Sequence, residues 1–169
     1  MFERVILGVD PGTSAIGLAC VAGNAMRARL IWATTVRTGA NAPGSERLQH
    51  IYRAVGDAIG THHPEALALE RLMWGKNIGS AMEVARASGA VMVAAAEAGV
   101  RVDEYAPLEV KMAVTGVGNA SKDQVRKGLG LILGAEAVPR EPDAADAVAV
   151  ALCHLQQSRM RELARGAVK

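Results

Sequence analysis

Apolar residues fill nearly every position from Val5 to Val9, and Asp10 ends the run with a Pro-Gly turn behind it. So short an unbroken run, closed by turn residues, predicts a buried β-strand over 4–10. Residues 15–22 (AIGLACVA) and 28–36 (ARLIWATTV) predict two more strands, and the Gly23–Asn24 pair between them predicts an antiparallel connection. From Ser45 to about Thr61 the spacing becomes helical, through Leu48, Ile51, Tyr52, Val55 and Ile59, until Pro64 stops it. Residues 66–70 (ALALE) predict a fourth strand. Ile78 to Ala98 predicts a long Ala-rich helix closed by Gly99, and 100–105 a fifth strand. Shorter helices are predicted over Pro107–Val114 and Ser121–Leu133. Pro139 and Pro142 then break the chain before a last helix over about 143–162. The order is three strands followed by alternating helices and strands. It predicts an α/β fold, a five-stranded mixed sheet flanked by helices.

The helix over 78–98 carries only Glu83, Arg86 and Glu97 as charged residues. An element so apolar should be buried on more than one side. A sheet covers one side; a second subunit or the rest of a monomer is left to cover the other.

At 169 residues the chain predicts a single domain over 1–169. Aromatic residues make up only 3% of it, so the core must be built from Ala, Val, Leu, Ile and Met. The apolar run at the start is too short for a signal peptide or a membrane span, which points to a cytoplasmic protein with no membrane partner. Cys20 and Cys153 lie in apolar stretches without CxxC spacing and read as reduced core thiols.

The net charge of +2 conceals a local imbalance. Lys111, Lys122, Arg126 and Lys127 stand against Asp123 alone, and the stretch over about 155–169 reads as a flexible basic tail with Arg159, Arg161, Arg165 and Lys169. A basic surface suits a polyanion such as nucleic acid.

Four acids stand apart, each where secondary structure changes. Asp10 and Glu70 end strands. Asp143 and Asp146 open the last helix at i, i+3 and share one of its faces. Each has an ordinary explanation as a turn, loop or helix-start residue. Together they point to one sheet edge. Carboxylates about 4 Å apart repel by roughly 4 kcal/mol per pair at an effective dielectric near 20. Nothing basic near Asp10 or Asp143 in the sequence offsets that. An oxygen-rich pocket of this kind suits Mg²⁺ or Mn²⁺, and paired divalent ions are a common engine of phosphodiester hydrolysis.

Four stretches carry a resemblance: ILGVDPGTSAIG, ALALERLMWGKN, EYAPLEVKMAVTGVGNASKDQV and PDAADAVAVALCH. In this order and at this spacing the chain resembles the bacterial RuvC Holliday-junction resolvases over nearly its whole length. The resemblance implies a ribonuclease H-like fold and a homodimer. It implies symmetric nicking of a four-way DNA junction with two Mg²⁺ ions per subunit, Mn²⁺ being a possible substitute. Asp10, Glu70, Asp143 and Asp146 would be both catalytic residues and metal ligands. Asp10 would bridge the two metals, with Glu70 completing one shell and Asp146 and Asp143 the other. The products would be 5′-phosphate and 3′-hydroxyl ends. Lys111 and Lys122 match the family's basic residues on the scissile strand, and Lys76, Asn77 and Arg126 are further expected DNA contacts. A junction-binding, branch-migration motor complex is the implied partner.

The chain departs from the family where many relatives carry an aromatic residue three positions after the middle glutamate. Here Met73 holds that position and Trp74 follows. Methionine can wedge but cannot stack as a flat ring, which leaves Trp74 to take that role. Because position 143 keeps a carboxylate, no histidine general base is expected. Three other readings compete: a ribonuclease H-fold nuclease acting on another nucleic acid, an actin-like-fold ATPase, and a junction-binding protein without catalysis.

Overall fold

The computed structural model describes residues 3–24, 26–39, 41–72 and 78–166. Five strands, β1 (Arg4–Asp10), β2 (Ala15–Gly23), β3 (Ala28–Arg37), β4 (Ala66–Glu70) and β5 (Arg101–Tyr105), form one sheet in the order β3-β2-β1-β4-β5. β1, β2 and β3 pair antiparallel, while β4 and β5 extend the sheet parallel to β1. Five α-helices cover it: α1 (Gly44–His62), α2 (Ile78–Glu97), α3 (Pro107–Thr115), α4 (Lys122–Leu133) and α5 (Pro142–Gly166). The strand and helix order matches the sequence expectation.

Strand alternation divides the core between two faces. Leu7, Val9, Leu18, Cys20, Leu67 and Leu69 pack with Ile51, Val55, Ala87 and Val91 from α1 and α2. Ile6, Ala19, Val21, Ala66, Ala68 and Tyr105 pack on the other face with α3, α4 and above all α5. Both cysteines are free and buried, as expected, and burial pushes the Cys20 thiol up to about 12.

α2 buries only one side, through Ala81, Ala87, Val91, Ala94 and Ala95, whereas Ile78, Met82 and Val93 are exposed. The buried residues gather on one stripe, and among the described residues the opposite stripe is left exposed. The stretch read as a flexible tail is helical through Gly166, and α5 keeps Leu155 and Ser158 buried along it. Among the described residues, no helix is long and apolar enough to cross a membrane.

Candidate active site

The parity that sorts the core also aims the acids. Asp10 shares its side of β1 with Ile6 and Gly8, and Glu70 shares its side of β4 with Ala66 and Ala68. Both carboxylates therefore point toward α5. The parallel register aligns Val9 with Leu69, so Asp10 and Glu70 are neighbours one step further along.

α5 brings the other two acids down to them. It runs so close to β1 and β2 that a Cβ on Gly8 would sit 2.0 Å from the Ala147 carbonyl oxygen. A Cβ on Gly17, the register partner of Asp10, would sit 1.9 Å from the Asp143 carbonyl oxygen. Real Cβ contacts do not come this near, so glycine at these two positions sets the height of the helix over the sheet. Asp143 and Asp146, one turn apart, are thereby lowered into the space above Asp10.

Asp10, Glu70, Asp143 and Asp146 line one pocket of about 300 Å³, together with Lys111, Lys122, Pro107, Val110, Val125 and Ala149. The lysines are delivered by well-capped helices. Ser121 caps α4, its Oγ accepting from the Gln124 N–H at 3.2 Å while Gln124 Oε1 accepts from the Ser121 N–H at 2.8 Å. That reciprocal cap fixes Lys122 at the first helical position. Pro107 opens α3, and Glu109 accepts from the Ala106 N–H at 2.8 Å, which sets the turn carrying Lys111.

The electrostatics are those of a crowded anionic site. Burial, and then the charges of Glu70, Asp146 and Asp143, push Asp10 up to about 8, against a smaller opposing pull from Lys122. Glu70 is also raised, first by burial and then by Asp146, while a hydrogen bond with Asp10 and the two lysines act the other way. Asp146 is raised by burial, with Lys122 the chief counterweight. Asp10 and Glu70, hydrogen-bonded to each other, are thus both shifted toward their protonated forms.

Among the described residues, no three Asp, Glu, His or Cys side chains form a closed metal-binding group. Lys122 offsets part of the acids' charge, its Nζ standing 3.6 Å from Asp146 Oδ2.

Of the expected DNA contacts, Lys111 and Lys122 meet at the acids. Arg126 does not line that pocket; it donates to the Pro139 carbonyl oxygen at 2.9 Å from the outer face of α4. Met73, Trp74, Lys76 and Asn77 lie outside the described residues. A larger groove of about 940 Å³, lined by Trp32, His50, Arg53, Asp57 and His62 among others, lies on the other face of the sheet beside α1. It contains none of the four acids. Sequence reading missed Thr38 and Arg47, which hold the turn behind Asp10 and carry no local motif.

Comparison with known proteins gives this geometry a context. Residues 6–154 match the family described as crossover junction endodeoxyribonuclease RuvC. The chain belongs to the RuvC family. A crossover junction endodeoxyribonuclease RuvC from Moorella thermoacetica is 41% identical over 158 residues, covering 94% of this chain and 95% of that one. The structure of Thermus thermophilus RuvC in complex with Holliday junction substrate superposes with a TM-score of 0.88 at 40% identity, over 94% of this chain and 96% of that one. The yeast mitochondrial Holliday junction resolvase Ydc2, at 14% identity and a TM-score of 0.68, shares the fold. As a RuvC family member the protein is an endodeoxyribonuclease, a hydrolase with a ribonuclease H-like fold.

Proposed function

We propose that Asp10, Glu70, Asp143 and Asp146 are the catalytic acids with which this enzyme nicks Holliday junctions symmetrically, leaving 5′-phosphate and 3′-hydroxyl ends. The observation that carries this reading is the convergence of four carboxylates and two lysines on one pocket at the sheet edge. An all-carboxylate donor set is the class that Mg²⁺ and Mn²⁺ select, and raised pKa values mark oxygens short of positive charge. The four acids fit two Mg²⁺ ions per subunit, with Mn²⁺ as a substitute. Bound there, such ions would supply an activated water and charge neutralisation at the scissile phosphate.

The remaining work falls to the chain. Lys122 has its side chain largely exposed at the pocket mouth and is placed to meet a phosphate oxygen. Lys111 lines the same pocket from α3. The crowding that raises Asp10, Glu70 and Asp146 is relieved once cations neutralise the pocket. Paired nicks require two sites in fixed relation, which favours a homodimer, and the exposed Ile78, Met82 and Val93 stripe of α2 offers it an apolar face. The reading also places the enzyme in the cytoplasm, beside a junction-binding motor complex.

Cleavage of a synthetic four-way junction, a linear duplex and an RNA–DNA hybrid, each with Mg²⁺ and with chelator, tests the proposal. Paired nicks confined to the junction and to Mg²⁺ are expected, and Asp10→Asn should abolish them while junction affinity stays within a few-fold. Preferred cutting of the hybrid would move the enzyme to another substrate. Full activity of Asp10→Asn would remove the acids from the chemistry.

A further inference from the structure

The turn that follows Asp10 is tied down from outside its own hairpin. The Thr13 carbonyl oxygen accepts two side-chain donors, the Thr38 hydroxyl and Arg47 Nε, the latter at 3.1 Å. The Thr38 N–H donates to the Ser14 carbonyl oxygen at 3.2 Å, and Arg47 Nη2 donates to Ser14 Oγ at 3.3 Å. Thr13 and Thr38 are buried, and the Arg47 side chain is only 16% exposed. Arg47 lies in the first turns of α1, yet its guanidinium turns inward to this hairpin. Its Nη2 also stands 4.0 Å from Glu83 Oε2 on α2, and Glu83 is held in turn by Arg86 at 2.7 Å.

A guanidinium with two hydrogen bonds to one turn and an ion-pair contact to a neighbouring helix is poorly available to solvent or to a phosphate. What it fixes is the path of the chain from Asp10 to Ala15, and with it the direction in which the Asp10 carboxylate leaves the sheet. On the helix side Asp10 is matched by acids whose height is set by glycine contacts. On the turn side, the hydrogen bonds of this clamp set its aim.

We propose that Arg47 is a positioning residue for the nuclease reaction: it clamps the Thr13–Ser14 turn to α1 and α2 and so holds Asp10 toward Asp143 and Asp146. This rests on the catalytic role given above to Asp10. Small displacements of a reacting group are expensive in rate, about 100-fold for an ångström, and a two-pronged guanidinium is harder to replace than a single charge.

The test compares Arg47→Met, Arg47→Lys and Asp10→Asn in single-turnover cleavage of a four-way junction, in gel-shift titration with the same junction, and in amide hydrogen exchange of the segment 10–17. For Arg47→Met the expected result is a fall in the cleavage rate of about 10- to 100-fold, affinity within about twofold of the parent, and faster exchange in that segment with β4 unchanged. Arg47→Lys, which can still donate to the Thr13 carbonyl, should recover part of the rate. Should Arg47→Met fail to fold, Thr38→Val removes the other donor to the same oxygen and should shift rate and exchange in the same direction. Parental rate and exchange in Arg47→Met, or a loss of affinity equal to the loss of rate, would overturn the proposal. If Asp10→Asn is inactive, such a result condemns the clamp alone; if Asp10→Asn cuts normally, the assignment of the acids fails first.

Discussion

Lys122 Nζ stands 3.6 Å from Asp146 Oδ2, which makes a residue expected to grip DNA a partner of the clustered acids as well. The two roles fit one position. An exposed ammonium at the mouth of an anionic pocket lowers the repulsion inside it and remains mobile enough to turn toward a phosphate. Replacing it with alanine removes both effects. Lys122→Ala should reduce the cleavage rate by about 10-fold or more while changing junction affinity only a few-fold, since one phosphate contact among several is lost. The salt dependence of binding should flatten by about one counterion. Rate and affinity falling by the same factor would show that Lys122 only binds.

Metal-free stability should fall with rising pH at the acidic site. Asp10 is held at about 8 in the folded protein against 3.8 for a free aspartate, so between those values the folded state binds the extra proton. The stabilisation is complete below the lower value and is lost as pH rises through the upper one. Thermal melts in chelator should therefore decline from pH 5 to pH 8. Asp146→Asn removes one of the charges that raise Asp10 and should increase the melting temperature at pH 8 in chelator. A lower melting temperature for that variant would mean that Asp146 is held mainly by Lys122.

His154 tilts the balance in the opposite direction. It is fully buried, its Nδ1 lies 3.0 Å from the Tyr105 hydroxyl, and its Nε2 has no hydrogen-bond partner. Burial pushes its pKa down to about 4, despite Asp103 3.8 Å away. The unfolded chain takes up this proton first, so stability is complete above pH 6.5 and is lost as pH falls toward 4, by up to about 3 kcal/mol. Acid unfolding of His154→Leu should show a shallower slope over this window. An unchanged slope would assign the acid transition to other groups.

Gly17→Ala tests the seat of α5. The added methyl meets the Asp143 carbonyl, a backbone atom that cannot rotate away, so the helix must lift. A loss of stability of about 1–3 kcal/mol is expected, with nicking reduced well beyond what the folded fraction explains. Denaturant titration beside single-turnover cleavage separates the two. Parental activity in a destabilised protein would show that the acids tolerate a raised helix.

The strands were legible because their apolar runs are short and closed by turn residues. The pairing of Asp10 with Glu70 was legible as well, since both follow the even positions of their strands. The contacts that complete the site were not. Gly17 against Asp143 and Arg47 against Thr13 join segments far apart in sequence, and no periodicity reports which strand a helix will cross. Nor did local spacing link the acids to Lys111 and Lys122, which reach the same pocket from α3 and α4. Arg126 looked like its basic neighbours, yet it lies outside the acidic pocket, with one Nη donating to the Pro139 carbonyl.

The site is divided between the first strand and the last helix, and this has a consequence for the chain as it is made. While the ribosome is still short of residue 143, the emerging polypeptide holds only Asp10 and Glu70. On the proposed reading such a copy lacks half of its catalytic acids, and the site is complete only when the final helix arrives.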